Sequence, residues 1–211
     1  MIKLLGKIPK NICIAVSGGA DSMAALNFLS KNRTVRVLHF NHKTTYADEA
    51  EFFVTKYCEE HHHKYTIGYL KEEIPSGASK EDFWRKNRYD FFNKESNGLP
   101  VITCHHLNDA VETWIFTSLH GKSRLIPYSR DIFIRPFLLT SKEDMLKWCY
   151  NRGVPFLEDP SNSNTDYMRN YIRHILMPNA LNVNPGLHKV VSKKIKTLSM
   201  RSMKNACKKA I

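Results

Sequence analysis

The chain has 211 residues, 42% of them hydrophobic and 25% charged, enough for one substantial core and an appendage. Its 32 lysines and arginines against 20 acidic residues give a formal charge of +12, which suits a polyanionic partner and equally an uneven soluble surface. Five scattered cysteines, Cys13, Cys58, Cys104, Cys149 and Cys207, include no C-x-x-C pair, so they fit neither a disulfide framework nor a zinc ribbon and point to a reducing cytoplasm.

The basic, apolar N-terminus is interrupted by Pro9, Lys10 and Asn11 before a long apolar run develops, so neither a signal peptide nor a membrane span is expected. Residues 12–16 read as a strand that ends in a Ser-Gly-Gly turn, and 22–29 have helical spacing through Met23, Leu26 and Phe28/Leu29. A second strand over 35–40 precedes a helix over 48–62. A third strand over 65–70, a helix over 80–94 and a fourth strand over 99–103 repeat the pattern. A helix over 106–119, capped near Asn108, and a short strand over 132–134 follow. The alternation predicts an α/β fold: a parallel sheet with helices on both faces. Beyond residue 141 the texture is helical and loop-rich, and from 190 onward a lysine-rich, amphipathic segment closes the chain.

The turn Ser17, Gly18, Gly19, Ala20, Asp21, Ser22 lies where a strand feeds a helix. Backbone N–H groups and the helix dipole there favour an anion, the two glycines let the backbone approach it, and the serines add hydroxyls. The lysine of a Walker loop is absent; in its place Asp21 suits a divalent cation bridging to phosphate. These six residues match the S-G-G-x-D-S signature of the PP-loop ATP pyrophosphatase superfamily. The resemblance implies a Rossmann-like domain in which ATP is cleaved between its α and β phosphates, with Ser17 to Ser22 around the pyrophosphate.

The stretch TCHHLNDAVET, 103–113, places Asp109 and Glu112 three apart on a helix, hence on one face, where His105 is able to join them. It resembles the H-H-x-D-D-x-x-E-T signature of tRNA(Ile)-lysidine synthetases, with Asn108 in place of the first aspartate. Further matches to that family are E-x-x-x-R-x-x-R-Y at Glu81, Arg85, Arg88 and Tyr89, and the run from Arg135-Pro136 through E-D-P-S-N at 158–162 to Tyr167, Arg169, Asn170 and Arg173. HFNH, 39–42, matches the end of the family's second strand, although the G-L-R that usually follows is absent, and the glycine-rich segment after the acidic helix is reduced to residues 120–123.

The resemblance implies a ligase that adenylates the wobble cytidine of a CAU-anticodon isoleucine tRNA and then joins lysine to it, using ATP and Mg²⁺. Its implied catalytic residues are Asp21, Arg85, His105, Asp109 and Glu112. Mg²⁺ falls to Asp21 and Asp109, the adenine side to Phe40, and tRNA to Arg88, Arg169 and Arg173. The expected organisation is a PP-loop domain over 1–140, a helical and loop extension over 141–190 and a basic tail over 191–211, shorter than family members that continue into C-terminal domains. Two rivals remain: a related tRNA thiolase, disfavoured without C-x-x-C, and a noncatalytic tRNA-binding remnant. Oligomeric state is left open, a homodimer among the options.

Overall fold

The structure, a computed structural model, describes the backbone of residues 1–71, 74–77 and 79–208, and their side chains except at 161, 162 and 201–208. The end of the expected basic tail, 209–211, and the Ser161 and Asn162 side chains of the E-D-P-S-N motif therefore lie outside the described residues.

Strand β1 (Asn11–Ala15) is the central strand, and its Ile12, Cys13 and Ile14 are fully buried because helices cover both faces. Its side chains alternate: Ile12 and Ile14 pack with α1 (Ala20–Ser30), α2 (Thr45–Glu60) and α5 (Lys142–Arg152), while Cys13 joins Leu38, Phe40, Val101 and Phe133 on the face covered by α3 (Lys80–Glu95). A further cluster joins α4 (Leu107–Leu119) to α8 (Leu187–Lys208) through Leu107, Ala110, Val111, Leu187, Val191 and Ile195.

With β2 (Thr34–Asn41), β3 (Lys64–Tyr69), β4 (Val101–Ile102), β5 (Ser129–Arg130) and β6 (Phe133–Ile134), the sheet order is β3-β2-β1-β4-β6-β5. All neighbours are parallel except the β5–β6 pair at one edge. The parallel α/β architecture expected from the alternation is the one observed. Chain order reverses between β1 and β4, so the loops leaving these two strands face each other across a switch point, where open α/β sheets bind ligands.

Three local details differ from expectation. The fourth strand is shorter than predicted, although Val101 and Thr103 still donate to Ile132 and Ile134 carbonyls at 2.9 and 3.0 Å. The cap of α4 is His106, not Asn108; the Asn108 amide oxygen instead accepts from Lys142 N at 3.0 Å and ties α4 to the start of α5. The amphipathic helix expected in the closing basic segment is present, but it starts earlier, at Leu187, and runs to Lys208 as α8. Between α6 (Met168–Tyr171) and α7 (Met177–Val183) the helix widens into a π turn, Ile172–Leu176, a feature that recurs at functional sites. Among the described residues no helix is long and apolar enough to cross a membrane.

Candidate active site at the sheet switch point

The turn after β1 is braced from within. Ser17 N donates to Ser22 Oγ at 3.2 Å, and Ser22 Oγ passes its own hydrogen to the Gly19 carbonyl at 2.9 Å. Ser22 is therefore a buried strut, while Ser17 is exposed, its hydroxyl 3.4 Å from that of Ser22. Gly18 has φ of +88°, a conformation costly to any residue with a side chain, and its carbonyl accepts from Leu157 N at 2.9 Å, anchoring the start of the E-D-P-S-N segment to the loop. Gly19 caps α1 and no side chain does, so the N-terminal N–H groups of the helix open toward the turn.

Across the switch point, His106 caps α4. Its backbone N–H donates to Asp109 Oδ2 at 2.8 Å, and its Nδ1 accepts from Asp109 N at 3.3 Å, a reciprocal capping box with histidine as the cap. Because Nδ1 accepts, the ring proton is assigned to Nε2, which faces Asp21 Oδ2 at 3.4 Å. Burial of His106 works against its protonation, but Asp109, Asp21 and Glu112 outweigh that effect and raise its pKa.

Asp109 Oδ1 accepts from Arg169 Nη2 at 2.8 Å, and Arg173 Nη2 lies 3.5 Å away. Glu112 takes a fork from Arg173, Nε to Oε1 at 2.7 Å and Nη2 to Oε2 at 3.1 Å, with Arg169 Nε adding a bond of 3.2 Å to Oε2. Such paired guanidinium bonds are the strong kind. Burial alone would raise the Asp109 pKa, but His106, Arg169 and His105 reverse this and hold its carboxyl well below the usual range.

His105, next door, behaves oppositely. Its Nδ1 lies 3.1 Å from Thr103 Oγ1, and its pKa falls to about 4: burial is the main cause, Asp109 opposes it, and Arg135, Arg169 and Arg85 reinforce it. Burial likewise lowers the pKa of Arg88, with Arg85 and Arg169 adding to the effect. Arg85 is exposed, its guanidinium 4.8 Å over the Tyr89 ring, and among the described residues Glu81 forms no ion pair with either arginine of α3. Arginines from α3, α6 and the segment after β6 thus act on one region around His105.

The sites named from sequence therefore meet in part. Asp21, His105, Asp109, Glu112, Arg169 and Arg173 converge, and Arg85 and Arg88 border them. Phe40 is packed between His42, at 5.0 Å between ring centroids, and Phe91, at 5.6 Å, and is only 8% exposed, so its ring belongs to the core. Three contributors were missed. His106, the link between the loop and the acidic helix, was signalled by its three-residue spacing from Asp109. Arg135, buried and bonded through Nη1 to the Pro127 carbonyl at 3.2 Å, was visible only as part of the R-P motif; Thr103 carried no signal of its own.

For Mg²⁺, Asp21 offers a buried Oδ1 with no hydrogen-bond partner, suited to a cation whose remaining positions come from phosphates and water. Both Asp109 oxygens are already engaged by His106 and the arginines, and among the described residues no group of three or more His, Cys, Asp or Glu is placed to hold a metal. The donors thus fit a nucleotide-borne ion held through Asp21 and not a protein cage.

This chain belongs to the PP-loop domain family, which matches residues 3–180. Its relatives include the tRNA(Ile)-lysidine synthases of Persephonella marina, 33% identical over 196 residues, and Buchnera aphidicola, 34% identical over 196 residues, each match covering 83% of this chain. The Thermotoga maritima protein of the same name is 28% identical over 200 residues, 86% of this chain. These matches cover 42%, 43% and 48% of the relatives, so the chain spans less than half of each. The fold is shared with the NH3-dependent NAD synthetase of Campylobacter jejuni: TM-score 0.50 at 13% identity, over 90% of this chain and 86% of that one.

Proposed function

We propose that this chain is the catalytic portion of a tRNA(Ile)-lysidine synthase, using ATP to activate the wobble cytidine of a CAU-anticodon isoleucine tRNA and lysine to replace the activated oxygen. The observation that carries this reading is the junction of three motifs far apart in sequence: Asp21 from the loop, His106, Asp109 and Glu112 from α4, and Arg169 and Arg173 from the C-terminal segment. The named relatives support it.

In this reading Ser17 to Ser22 hold the β and γ phosphates through backbone N–H groups and the Ser17 hydroxyl. Asp21 holds Mg²⁺, which neutralises phosphate charge when bound. The cytidine C2 oxygen attacks the α phosphorus and pyrophosphate departs. The lysine amine then attacks C2, a C–N bond forms, the C–O bond to AMP breaks, and the amine gives up a proton. Arg85 faces the charge that develops on phosphorus, a role for a preorganised cation. Asp109 and Glu112 keep Arg169 and Arg173 in place, and neutral His105 remains able to accept a proton. With the Phe40 ring packed away, adenine meets the backbone at the end of β2.

Thiolation is a poorer fit. A sulfur carrier needs a low-pKa thiol, whereas burial pushes Cys58 up to about 12 and Cys149 up to about 11, and burial with Asp21 and Asp109 raises Cys104 further. The reading requires that pyrophosphate release depend on tRNA and, without lysine, stop once the bound tRNA is adenylated, and that AMP release and sustained turnover depend on lysine as well. Repeated turnover with AMP release in the presence of tRNA but without lysine would point to another nucleophile.

A further inference from the structure

Ten of the chain's 32 lysines and arginines, and none of its 20 acidic residues, lie beyond Asp166, so ten of the twelve net positive charges belong to residues 167–211. Two of them, Arg169 and Arg173, are spent on Asp109 and Glu112. The rest fall on or just past α8.

That helix is held firmly. Leu187, Val191 and Ile195 recur every four residues and are buried against α4. On the opposite side Lys189, Lys193 and Lys196, at i, i+4 and i+7, make an exposed stripe, and no carboxylate among the described residues pairs with any of them. Like charges at this spacing weaken a helix, so an isolated surface helix would gain from interspersed acids. None is present.

The flank of the stripe opens into a shallow cavity of about 170 Å³. It is lined by Lys189, Ser192, Lys196 and His188 of α8, by Lys3, and by Leu107 and Leu139. Lys3 is pinned there by its backbone: its N–H donates to Thr140 Oγ1 at 2.9 Å, and its carbonyl accepts from that hydroxyl at 2.7 Å. Two acids lie near this end of the surface, each with another partner: Glu143 acts on His188, and Asp144 pairs with the Met1 amine. Leu107 directly follows His106, so the cavity lies on the outer side of the helix start that closes the candidate active site.

We infer that the exposed face of α8, with Lys3, is a docking surface for an RNA phosphate backbone, formed by Lys3, Lys189, Lys193 and Lys196 on a rigid helix. Spaced ammonium groups that no carboxylate among the described residues pairs with, on a packed helix, complement a line of phosphates and carry no base selectivity. The inference rests on the reading that the substrate is RNA, and adds where its backbone is held.

The test uses the full chain carrying K189Q, K193Q and K196Q together, an unmodified CAU-anticodon tRNA transcript, and fluorescence anisotropy across a salt series. The wild type should lose affinity as salt rises, and the variant should bind more than about tenfold more weakly at ~0.1 M salt with a log–log slope smaller by about 2 to 3. The triple Lys→Arg variant should bind like the wild type, which separates charge from folding damage. Equal affinity and slope in the glutamine variant would overturn the inference, as would charge-dependent binding to phosphatidylserine vesicles with none to RNA. If the wild type forms no lysine-bearing nucleoside yet the glutamine variant loses RNA, the functional reading fails and this surface stands. If lysidine forms and the variant binds RNA unchanged, the functional reading stands and this surface fails.

Discussion

His106 Nε2 lies 3.4 Å from Asp21 Oδ2, so one buried imidazole joins the phosphate turn after β1 to the acidic helix after β4. Two roles coincide in it: cap for α4 and spacer between two carboxylates. They are separable. His106→Ala should cost about 0.5–2 kcal/mol through loss of the cap and should also reduce AMP formation. His106→Asn, a good cap, should restore most of the stability and leave the rate low, because it does not reach Asp21. Urea unfolding beside a product assay reads both, and full activity in the asparagine variant would show that the contact with Asp21 has no catalytic role.

Glu112 is almost fully buried against Arg173, and although Arg169 also reaches Glu112 and Asp109 reaches Arg173, losing either partner removes the shortest, forked bonds of a buried pair. Glu112→Gln or Arg173→Gln should destabilise by about 3–5 kcal/mol, the range for breaking a buried pair. Arg169 is 44% exposed, so Arg169→Gln should cost no more than about 1 kcal/mol of stability. Equal losses at Arg169 and Arg173 would contradict the burial difference.

Gly18 has room for a methyl, whose nearest neighbour would be Phe53 at 3.4 Å, but its φ of +88° penalises any side chain. Gly18→Ala should therefore lose more than about 1 kcal/mol from backbone strain and weaken the stabilisation that pyrophosphate gives against thermal unfolding. A melting curve with and without pyrophosphate checks this; an unchanged ligand shift would exonerate the turn.

The adjacent histidines should titrate apart. His105 falls from an ordinary 6.5 to about 4 in the fold, so its neutral ring contributes stability that is present above its unfolded pKa and lost as pH falls toward 4. Its imidazole proton resonance should move with a midpoint near 4, whereas that of His106 should move above the ordinary value. Stability should drop between about pH 6.5 and 4, and His105→Asn should flatten that drop. A His105 midpoint near 6.5 would show that the arginines and burial do not act on it as described.

Much of this was legible in sequence for physical reasons. Apolar runs ending in Ser-Gly-Gly or His-His mark buried parallel strands feeding helices, and this alternation dictates the switch point where the loops meet. What stayed hidden depends on distance along the chain. Arg169 and Arg173 look like a surface stripe because their partners lie 57 to 64 residues away. Ser22 reads as a ligand donor, yet its hydroxyl is consumed inside the turn. Asn108 reads as the cap by residue type, but His106, two residues earlier, takes that position, and the Asn108 amide oxygen is spent on Lys142 N.

The most direct measurement is to incubate the chain with ATP, Mg²⁺, isotope-labelled lysine and a CAU-anticodon isoleucine tRNA transcript, digest the RNA and weigh the labelled nucleoside. A lysidine synthase should leave label on cytidine at the wobble position, with the mass of lysine joined with loss of water and with dependence on Asp21. Unlabelled RNA from folded protein that binds both ATP and tRNA would contradict that function.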